Sequence, residues 1–114
     1  AEDEDSNYLL LHDVLQETKV SLIRAKDGNE VVELFKEHPE IDLILMDIRL
    51  PFISGYEAVA EIKKIRKDVP IIAQTAYAMA GAREKSLAAG CDDYISKPIK
   101  PKDLITLISR YLIS

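Results

Sequence analysis

The chain has 114 residues, 47% apolar and 31% charged, which predicts a single soluble globular domain. Its 15 basic and 20 acidic side chains give a net charge of −5, which argues against nucleic-acid binding because phosphate contacts need a basic face. The single cysteine, Cys91, excludes an internal disulfide and is expected to be a small buried apolar residue. No apolar run is long enough to span a membrane and the N-terminus is acidic, so we expect a cytoplasmic location without membrane contact.

The first predicted element is a helix that follows an acidic stretch. Four carboxylates stand in residues 2–5, a composition typical of a solvated helix N-terminus. That interpretation explains Asp5 but leaves Glu2 and Asp3 without a role. The apolar spacing then predicts a helix from Tyr8 to about Glu17.

Two extended segments and a second helix come next. The pattern predicts a strand over Val20 to Ala25 and a helix from about Asn29 to His38. The unbroken apolar run from Leu43 to Met46 is typical of a strand buried on both faces of a parallel sheet, although periodicity alone also permits a buried helical turn. Asp47 ends this run, and an isolated aspartate at such a place is commonly a turn or helix cap.

The second half of the chain repeats the alternation of strands and helices. We predict helices over 55–66, 80–89 and 102–112, and strands over 71–75 and 93–96. The side chains expected to face the core are Ala58, Val59, Ile62 and Ile65 in the first of these helices and Leu104, Ile105, Leu107, Ile108 and Leu112 in the last. Lys63 is expected to face water. The alternation predicts an α/β fold with a parallel sheet covered by helices on both faces.

The order of elements begins with a helix, whereas a doubly wound domain normally begins with a strand. The acidic stretch in residues 2–5 stands where the loop after such a strand would lie. We therefore expect the natural protein to have a first strand that is missing from the sequence as given.

Three predicted strands are followed by a polar residue, namely Asp47, Thr75 and Lys97. Because the carboxyl ends of parallel strands meet at one edge of a sheet, these side chains should converge, and Glu2 and Asp3 would join them if the missing strand lies alongside. Carboxylates this close stay ionised together only around a cation, and an all-oxygen set favours Mg²⁺. The combination suits phosphoryl transfer with Asp47 as the nucleophile.

The sequence resembles a known family, the receiver domain of two-component response regulators. The resemblance rests on the acidic pair Glu2-Asp3, the segment 45–51 around Asp47 with Gly55 after it, Gln74-Thr75-Ala76, and Asp-Tyr-Ile-Ser-Lys-Pro over 93–98. Each piece is weak alone, but together and in this order they are specific. The resemblance runs from Glu2 to the end and implies one receiver domain over 1–114, with a flavodoxin-like sheet of strand order 2-1-3-4-5.

The resemblance also implies a phosphoacceptor and a metal site. Asp47 would receive a phosphoryl group from a histidine kinase or a histidine phosphotransfer protein. Asp3 and Asp47 would bind Mg²⁺ directly, Glu2 through water, and Arg49 through its backbone carbonyl.

Further roles are implied on the phosphoryl side of the site. Thr75 and Lys97 would hold the phosphoryl oxygens, and the peptide bond before Pro98 would be cis. Tyr94 matches the aromatic switch position, where the ring turns inward as Thr75 moves toward the phosphoryl group. The alternative for Tyr94 is a half-buried core aromatic.

Two apolar stretches are candidate partner surfaces. Phe52 and Ile53 follow Asp47 and either dock the phosphodonor or pack onto the next helix. Met79 lies in the apolar run 76–80 and, with Tyr94, is expected on a surface formed by the fourth helix, last strand and last helix.

Two other functions compete with a phosphorylated receiver. A pseudo-receiver, which is a protein-binding module without phosphorylation, would lack the acceptor, the lysine or the acidic pair, and all are present. A Mg²⁺-dependent phosphatase with an aspartyl nucleophile would carry a second aspartate where this chain has Arg49. The chain would be a single-domain regulator, a receiver attached to an output domain, or the receiver of a hybrid sensor histidine kinase. Of these, its amino-acid sequence resembles the receivers of hybrid kinases most.

Overall fold

The computed structural model of the chain describes residues 1–16, 20–50, 54–75, 81–97 and 99–112. Helices and strands alternate along these ranges, as the apolar pattern predicts. In chain order they are α1 (Asp5–Leu15), α2 (Gly28–Glu37), β1 (Ile44–Asp47), α3 (Gly55–Ile65), β2 (Ile71–Thr75), α4 (Ala82–Ala89), β3 (Asp93–Ser96) and α5 (Pro101–Leu112). No helix in the described ranges is long and apolar enough to cross a membrane.

The strands form one parallel sheet in the order β1-β2-β3. Asp47 pairs with Gln74 and Thr75 pairs with Ser96, so the three strands end at nearly the same level. All five residues of the middle strand β2 are buried. The parallel α/β prediction is confirmed, and these strands correspond to the last three of the expected order 2-1-3-4-5.

Helices cover both faces of the sheet, and neighbouring residues of β2 contribute to opposite faces. Ile71 belongs to an apolar cluster with α2 and α3, whereas Ile72 belongs to one with α1 and α5. Cys91 is 5% exposed in the first cluster, and burial together with the charge of Asp92 raises the pKa of its thiol to about 11. The prediction that Cys91 is a small buried residue is confirmed.

Side chains cap the starts of two of the helices. The side chains of Asp27 and Ser54 accept hydrogen bonds from the third backbone N–H after them, which fixes the starts of α2 and α3. Helix α1 begins at Asp5 and not at Tyr8, and its N-cap Glu4 makes no side-chain capping bond. The start is predicted too late because the first turn of α1 carries only polar side chains.

The strand predicted over Val20 to Ala25 does not form. Strand pairing needs a ladder of backbone hydrogen bonds, but among the described residues this stretch shares one such bond with another extended segment, from Glu2 N to Ala25 O at 2.8 Å. A cleft of about 1070 Å³ is lined both by residues 20–25 and by residues 40–45, so the two segments face each other without pairing.

The backbone of Ala1 and Glu2 closes one end of this cleft. On the β1 side, the Ala1 nitrogen donates to Leu45 O at 2.6 Å, and Ala1 O accepts from the Asp47 N–H at 3.0 Å. On the other side lies the Glu2 bond to Ala25. Residues 1–2 therefore lie between the end of β1 and the 20–25 segment, which brings the acidic stretch to the edge where the strands end.

Three side chains differ from the helical-face predictions. Ile65 and Ile105 are 47% and 39% exposed, because each lies at the margin of its helix's apolar face. Lys63 does not face water: its ammonium donates to Lys67 O at 3.1 Å, Val69 O at 2.8 Å and Asp92 Oδ2 at 3.0 Å. Its long stem lets the charged end reach past the helix terminus.

Asp92 joins this lysine to the start of the sheet. Its Oδ2 also accepts from the Ile71 N–H at 2.9 Å, and its own N–H donates to Ile71 O at 2.8 Å. The network ties the end of α3, the start of β2 and the residue before β3 together at the edge opposite the acidic site.

We expect Asp92→Ala to lower the free energy of unfolding by about 1–3 kcal/mol, because it leaves the Ile71 N–H and the Lys63 ammonium without their shared acceptor. Urea unfolding followed by circular dichroism measures the change. Asp68→Ala is the matched control, since Asp68 is 88% exposed and has only a 3.5 Å ion pair with Arg66, and should shift stability by less than about 0.5 kcal/mol. Equal losses in the two variants would contradict this assignment.

Candidate functional site

The polar residues at the ends of the three strands converge, as the parallel register requires. The Lys97 ammonium lies 2.8 Å from Asp47 Oδ2, and the Lys97 N–H donates to Thr75 O at 2.8 Å. Asp47 and Thr75 are 3% and 1% exposed. A buried carboxylate, a buried hydroxyl and an ammonium therefore meet at one edge of the sheet.

The acidic pair at the start of the chain completes this group. Glu2, Asp3 and Asp47 each offer one carboxylate oxygen, and the three oxygens lie within 4.8 Å of one another. Glu2 is 1% exposed, whereas Asp3 faces solvent. Both lie here because the backbone of residues 1–2 is hydrogen-bonded to β1 and to Ala25.

The charges in this group do not balance. Burial, followed by the hydrogen bond and the charge of Asp47, raises the pKa of Glu2 to about 7, against the opposing effects of Asn7 and Lys97. Burial alone would lower the pKa of Lys97, but the hydrogen bond and charge of Asp47, with Glu2, raise it overall. Three carboxylates share one ammonium, and an all-oxygen set with excess negative charge fits a hard divalent cation such as Mg²⁺.

The Asp47 carboxylate has two different partners. Oδ1 accepts from the Arg49 N–H at 2.9 Å and Oδ2 accepts from Lys97. The turn-capping role considered for an isolated aspartate is therefore present together with the site role. The first bond also holds the backbone of Arg49 next to the acidic group, and a metal contact through the Arg49 carbonyl stays a prediction.

The hydroxyl of Thr75 is buried and has no hydrogen-bond partner within the described part of the chain. A buried hydroxyl without a partner is unfavourable, so such groups call for a specific explanation. Its position beside Asp47 and Lys97 suits a donor to an anionic oxygen bound at this edge.

Gly55 brings the start of α3 against the end of β1. Its N–H donates to Ile48 O at 3.0 Å, and a Cβ placed on it would lie 2.5 Å from Asp47 O and 2.7 Å from Ile48 Cα. Sequence analysis placed Gly55 at the start of a helix and in the pattern of the family resemblance, without a packing reason for it. The structure shows that a glycine is needed because backbone packs on backbone here.

Two further residues escaped the sequence analysis. Arg24 donates to Glu2 O at 3.1 Å and to Asp5 Oδ1 at 2.8 Å, and its guanidinium lies 4.5 Å from the centroid of the Tyr8 ring. Asn7 donates through Nδ2 to Glu2 Oε1. A basic residue at the end of the 20–25 run, close to four acids, was the available signal for Arg24, and no local signal identifies Asn7.

Of the other residues predicted to have a role, one lies within the described ranges and four do not. Tyr94 is half-buried against the α2–α3 cluster, which agrees with the core-aromatic alternative, and its switch movement stays a prediction. Phe52, Ile53, Met79 and Pro98 lie outside the described residues, so the partner surface and the cis bond stay predictions.

Comparison with known sequences gives one consistent family. The family model described as response regulator receiver domain matches residues 1–109. The polar-differentiation response regulator DivK of Brucella abortus is 41% identical over 113 residues, which cover 97% of this chain and 91% of DivK. The hybrid signal transduction histidine kinase I of Dictyostelium discoideum is 40% identical over 120 residues, but the chain covers only 7% of that kinase.

Solved structures agree with this result. The receiver domain of the sensor histidine kinase PA1611 from Pseudomonas aeruginosa PAO1, which has magnesium coordinated in its active site cleft, matches with a TM-score of 0.89 and 37% identity over 100% of this chain and 94% of that one. A chain in the co-crystal structure of the Saccharomyces cerevisiae histidine phosphotransfer protein Ypd1 with the receiver domain of Ssk1 matches with a TM-score of 0.89 and 34% identity, covering 96% and 83% of the two chains.

We expect Gly55→Ala to lower the free energy of unfolding by about 3 kcal/mol, because the new methyl group meets backbone atoms that move only with the strand or the helix. Gly81→Ala is the control: φ is +72° there but a Cβ meets nothing within 4 Å, so it should cost only about 1 kcal/mol of backbone strain. Urea unfolding of both variants measures the difference. A smaller loss for Gly55→Ala than for Gly81→Ala would contradict the close packing.

The raised pKa of Glu2 predicts a pH-dependent stability in metal-free buffer. Its pKa is about 7 in the folded chain against 4.5 ordinarily, so between these values the folded chain keeps a proton that the unfolded chain has lost. Below about 4.5 Glu2 contributes no difference, and its destabilising effect grows until about pH 7.

Glu2→Gln should therefore gain stability relative to the wild type as the pH rises, by on the order of 1–3 kcal/mol between about pH 4 and pH 8. Urea unfolding in EDTA at a series of pH values measures this. A difference between the two proteins that stays constant with pH would show that folding does not raise the pKa of Glu2.

Proposed function

Because this chain belongs to the response regulator receiver domain family of two-component signalling, we propose that it accepts a phosphoryl group on Asp47 and acts as a phosphorylation-driven switch. The observation that carries the proposal is the arrangement at the strand ends. Asp47 is buried between the Lys97 ammonium and the acidic pair, and the neighbouring strand carries the Thr75 hydroxyl, which has no hydrogen-bond partner among the described residues.

Phosphoryl transfer to Asp47 needs positioning and countercharge more than covalent assistance. A carboxylate oxygen of Asp47 forms the new bond to phosphorus, while the bond from phosphorus to the donor's histidine nitrogen breaks and its electron pair stays on the imidazole. Lys97, at 2.8 Å from Asp47 Oδ2, supplies positive charge next to the incoming phosphoryl oxygens. The Thr75 hydroxyl donates to one of those oxygens.

The residues present fit the divalent cation that this chemistry uses. Glu2, Asp3 and Asp47 would hold Mg²⁺, and the Arg49 carbonyl would add a neutral oxygen ligand. When bound, the ion neutralises charge on the carboxylates and on the phosphoryl oxygens. The carboxylates supply the excess charge that makes such binding favourable, because one lysine cannot neutralise all three.

The donor and the recipient of the signal follow from this chemistry. The donor is a phosphohistidine on a histidine kinase or a histidine phosphotransfer protein, and the complex of the related Ssk1 receiver with Ypd1 supports the second. Phe52 and Ile53 would contact this donor, while Tyr94 and Met79 would face the partner or an attached output domain. The domain would span 1–114 in the cytoplasm, in a regulator or a hybrid histidine kinase, as the similarity to both kinds of protein suggests.

Intact mass spectrometry after incubation with acetyl phosphate and Mg²⁺ tests the proposal. We expect the wild type to gain one phosphoryl group, Asp47→Asn to gain none, and EDTA to abolish the gain. Lys97→Met should slow the reaction by about 100-fold, because it removes the countercharge without changing the acceptor. Asp13→Asn, an exposed carboxylate on α1, is the matched control and should react like the wild type.

A folded wild type that gains no phosphoryl group would overturn the proposal and favour a pseudo-receiver. Equal gain in Asp47→Asn would move the acceptor to another residue. Circular dichroism of each protein confirms that it is folded under the reaction conditions.

A further inference from the structure

Gln74 is a polar side chain in an apolar place. It is 1% exposed on the middle strand β2 and, by strand alternation, shares its sheet face with Ile72, which packs against α1 and α5. Its Oε1 accepts from Asn7 Nδ2 at 3.4 Å, but its Nε2 has no partner in the part of the chain that the structure describes. A methionine would fill the same space without burying an unpaired donor. Packing alone therefore does not explain why a glutamine stands at this position.

Asn7 connects Gln74 to the acidic site. It lies in the first turn of α1, four residues before the buried Leu11 on the same helix face, and its Nδ2 donates to Glu2 Oε1 as well as to Gln74 Oε1. Because both neighbours present acceptors, the amide of Asn7 is held with its nitrogen, and not its oxygen, toward Glu2. Gln74 thus provides a second acceptor, which holds the Asn7 side chain where its nitrogen reaches the Glu2 carboxylate.

The Glu2 carboxylate also has a competing donor. Its Oε1 lies 3.5 Å from the Lys97 ammonium, which is the same group that pairs with Asp47 at 2.8 Å. If Asn7 released Glu2, Lys97 would be the nearest remaining donor to Oε1 among the described residues. Glu2 would then compete with Asp47 for the Lys97 ammonium.

We propose that Asn7 and Gln74 are positioning residues, which hold the Glu2 carboxylate beside Asp3 and Asp47 and thereby strengthen divalent-cation binding. The inference rests on the proposed function, since it concerns the same site. Partners that orient metal-binding side chains typically change metal affinity by about 10- to 100-fold when removed.

Calorimetric titration with Mg²⁺ and urea unfolding in EDTA, on the same proteins, test this inference. Gln74→Met and Asn7→Ala should each weaken Mg²⁺ binding by about 10-fold or more. Gln74→Met should be at least as stable as the wild type in EDTA, because it removes a buried unpaired donor. The double variant should bind Mg²⁺ no more weakly than Asn7→Ala alone, since both residues act through one hydrogen bond to Glu2.

Ile72→Val is the matched control, because Ile72 is buried on the same face of β2 and is not a partner of Asn7. It should lose stability and keep the wild-type affinity for Mg²⁺. The inference is overturned if Gln74→Met binds Mg²⁺ as tightly as the wild type, or if Ile72→Val loses affinity to the same degree, which would reduce the effect to a loss of stability.

The two proposals fail in distinguishable ways. A wild type that binds Mg²⁺ and gains a phosphoryl group, with variants that bind equally well, overturns only the positioning role. A folded wild type that neither binds Mg²⁺ nor gains a phosphoryl group overturns both.

Discussion

The site depends above all on the ion pair between Lys97 and Asp47. A buried carboxylate without a partner is strongly disfavoured, and the ammonium at 2.8 Å supplies the compensating charge. The pair is possible because β1 and β3 lie parallel on either side of β2. Asp47 at the end of β1 and Lys97 just after β3 therefore face each other across the end of β2. The topology of the sheet and the pairing of the buried Asp47 carboxylate are in this way one constraint.

The acidic pair adds charge that this lysine cannot neutralise. The backbone of residues 1–2 holds Glu2 against Asp47, and burial together with Asp47 makes ionisation of Glu2 unfavourable in the metal-free chain. Such an arrangement costs stability, and a bound cation would relieve that cost. The excess charge is therefore a better indication of metal binding than the number of acids, which is high over the whole of residues 2–5.

The pattern of apolar runs was sufficient for the parallel α/β fold and for the convergence of Asp47, Thr75 and Lys97, because a buried strand needs a continuous apolar segment. It failed for residues 20–25, where a strand-like composition lacks a paired neighbour, since a strand is defined by its hydrogen-bonded partner. It also failed for Lys63, because a helical face predicts the direction of Cβ and not the reach of a long side chain.

Side-chain partners that are distant in sequence were beyond prediction. Asn7 and Gln74 are 67 positions apart, and no sequence motif around either residue indicates a contact with the other. The sequence analysis used Gln74 only as part of the Gln74-Thr75-Ala76 segment of the family resemblance and predicted nothing about its burial. Only the packed structure shows it to be buried, with one end bonded toward the acidic site and the other without a described partner.

The two ends of β2 differ in how their polar groups are paired. At the edge where β2 begins, Lys63 and Asp92 satisfy one another, a backbone N–H and two carbonyls, so the polar groups there are paired. At the edge where β2 ends, the buried Thr75 hydroxyl and Gln74 Nε2 have no hydrogen-bond partner within the described ranges. Because the Lys63–Asp92 network anchors the sheet where β2 begins, the sheet can hold unsatisfied polar groups where β2 ends without local rearrangement. Those groups can then bind an anion or a cation, or take part in a change of conformation.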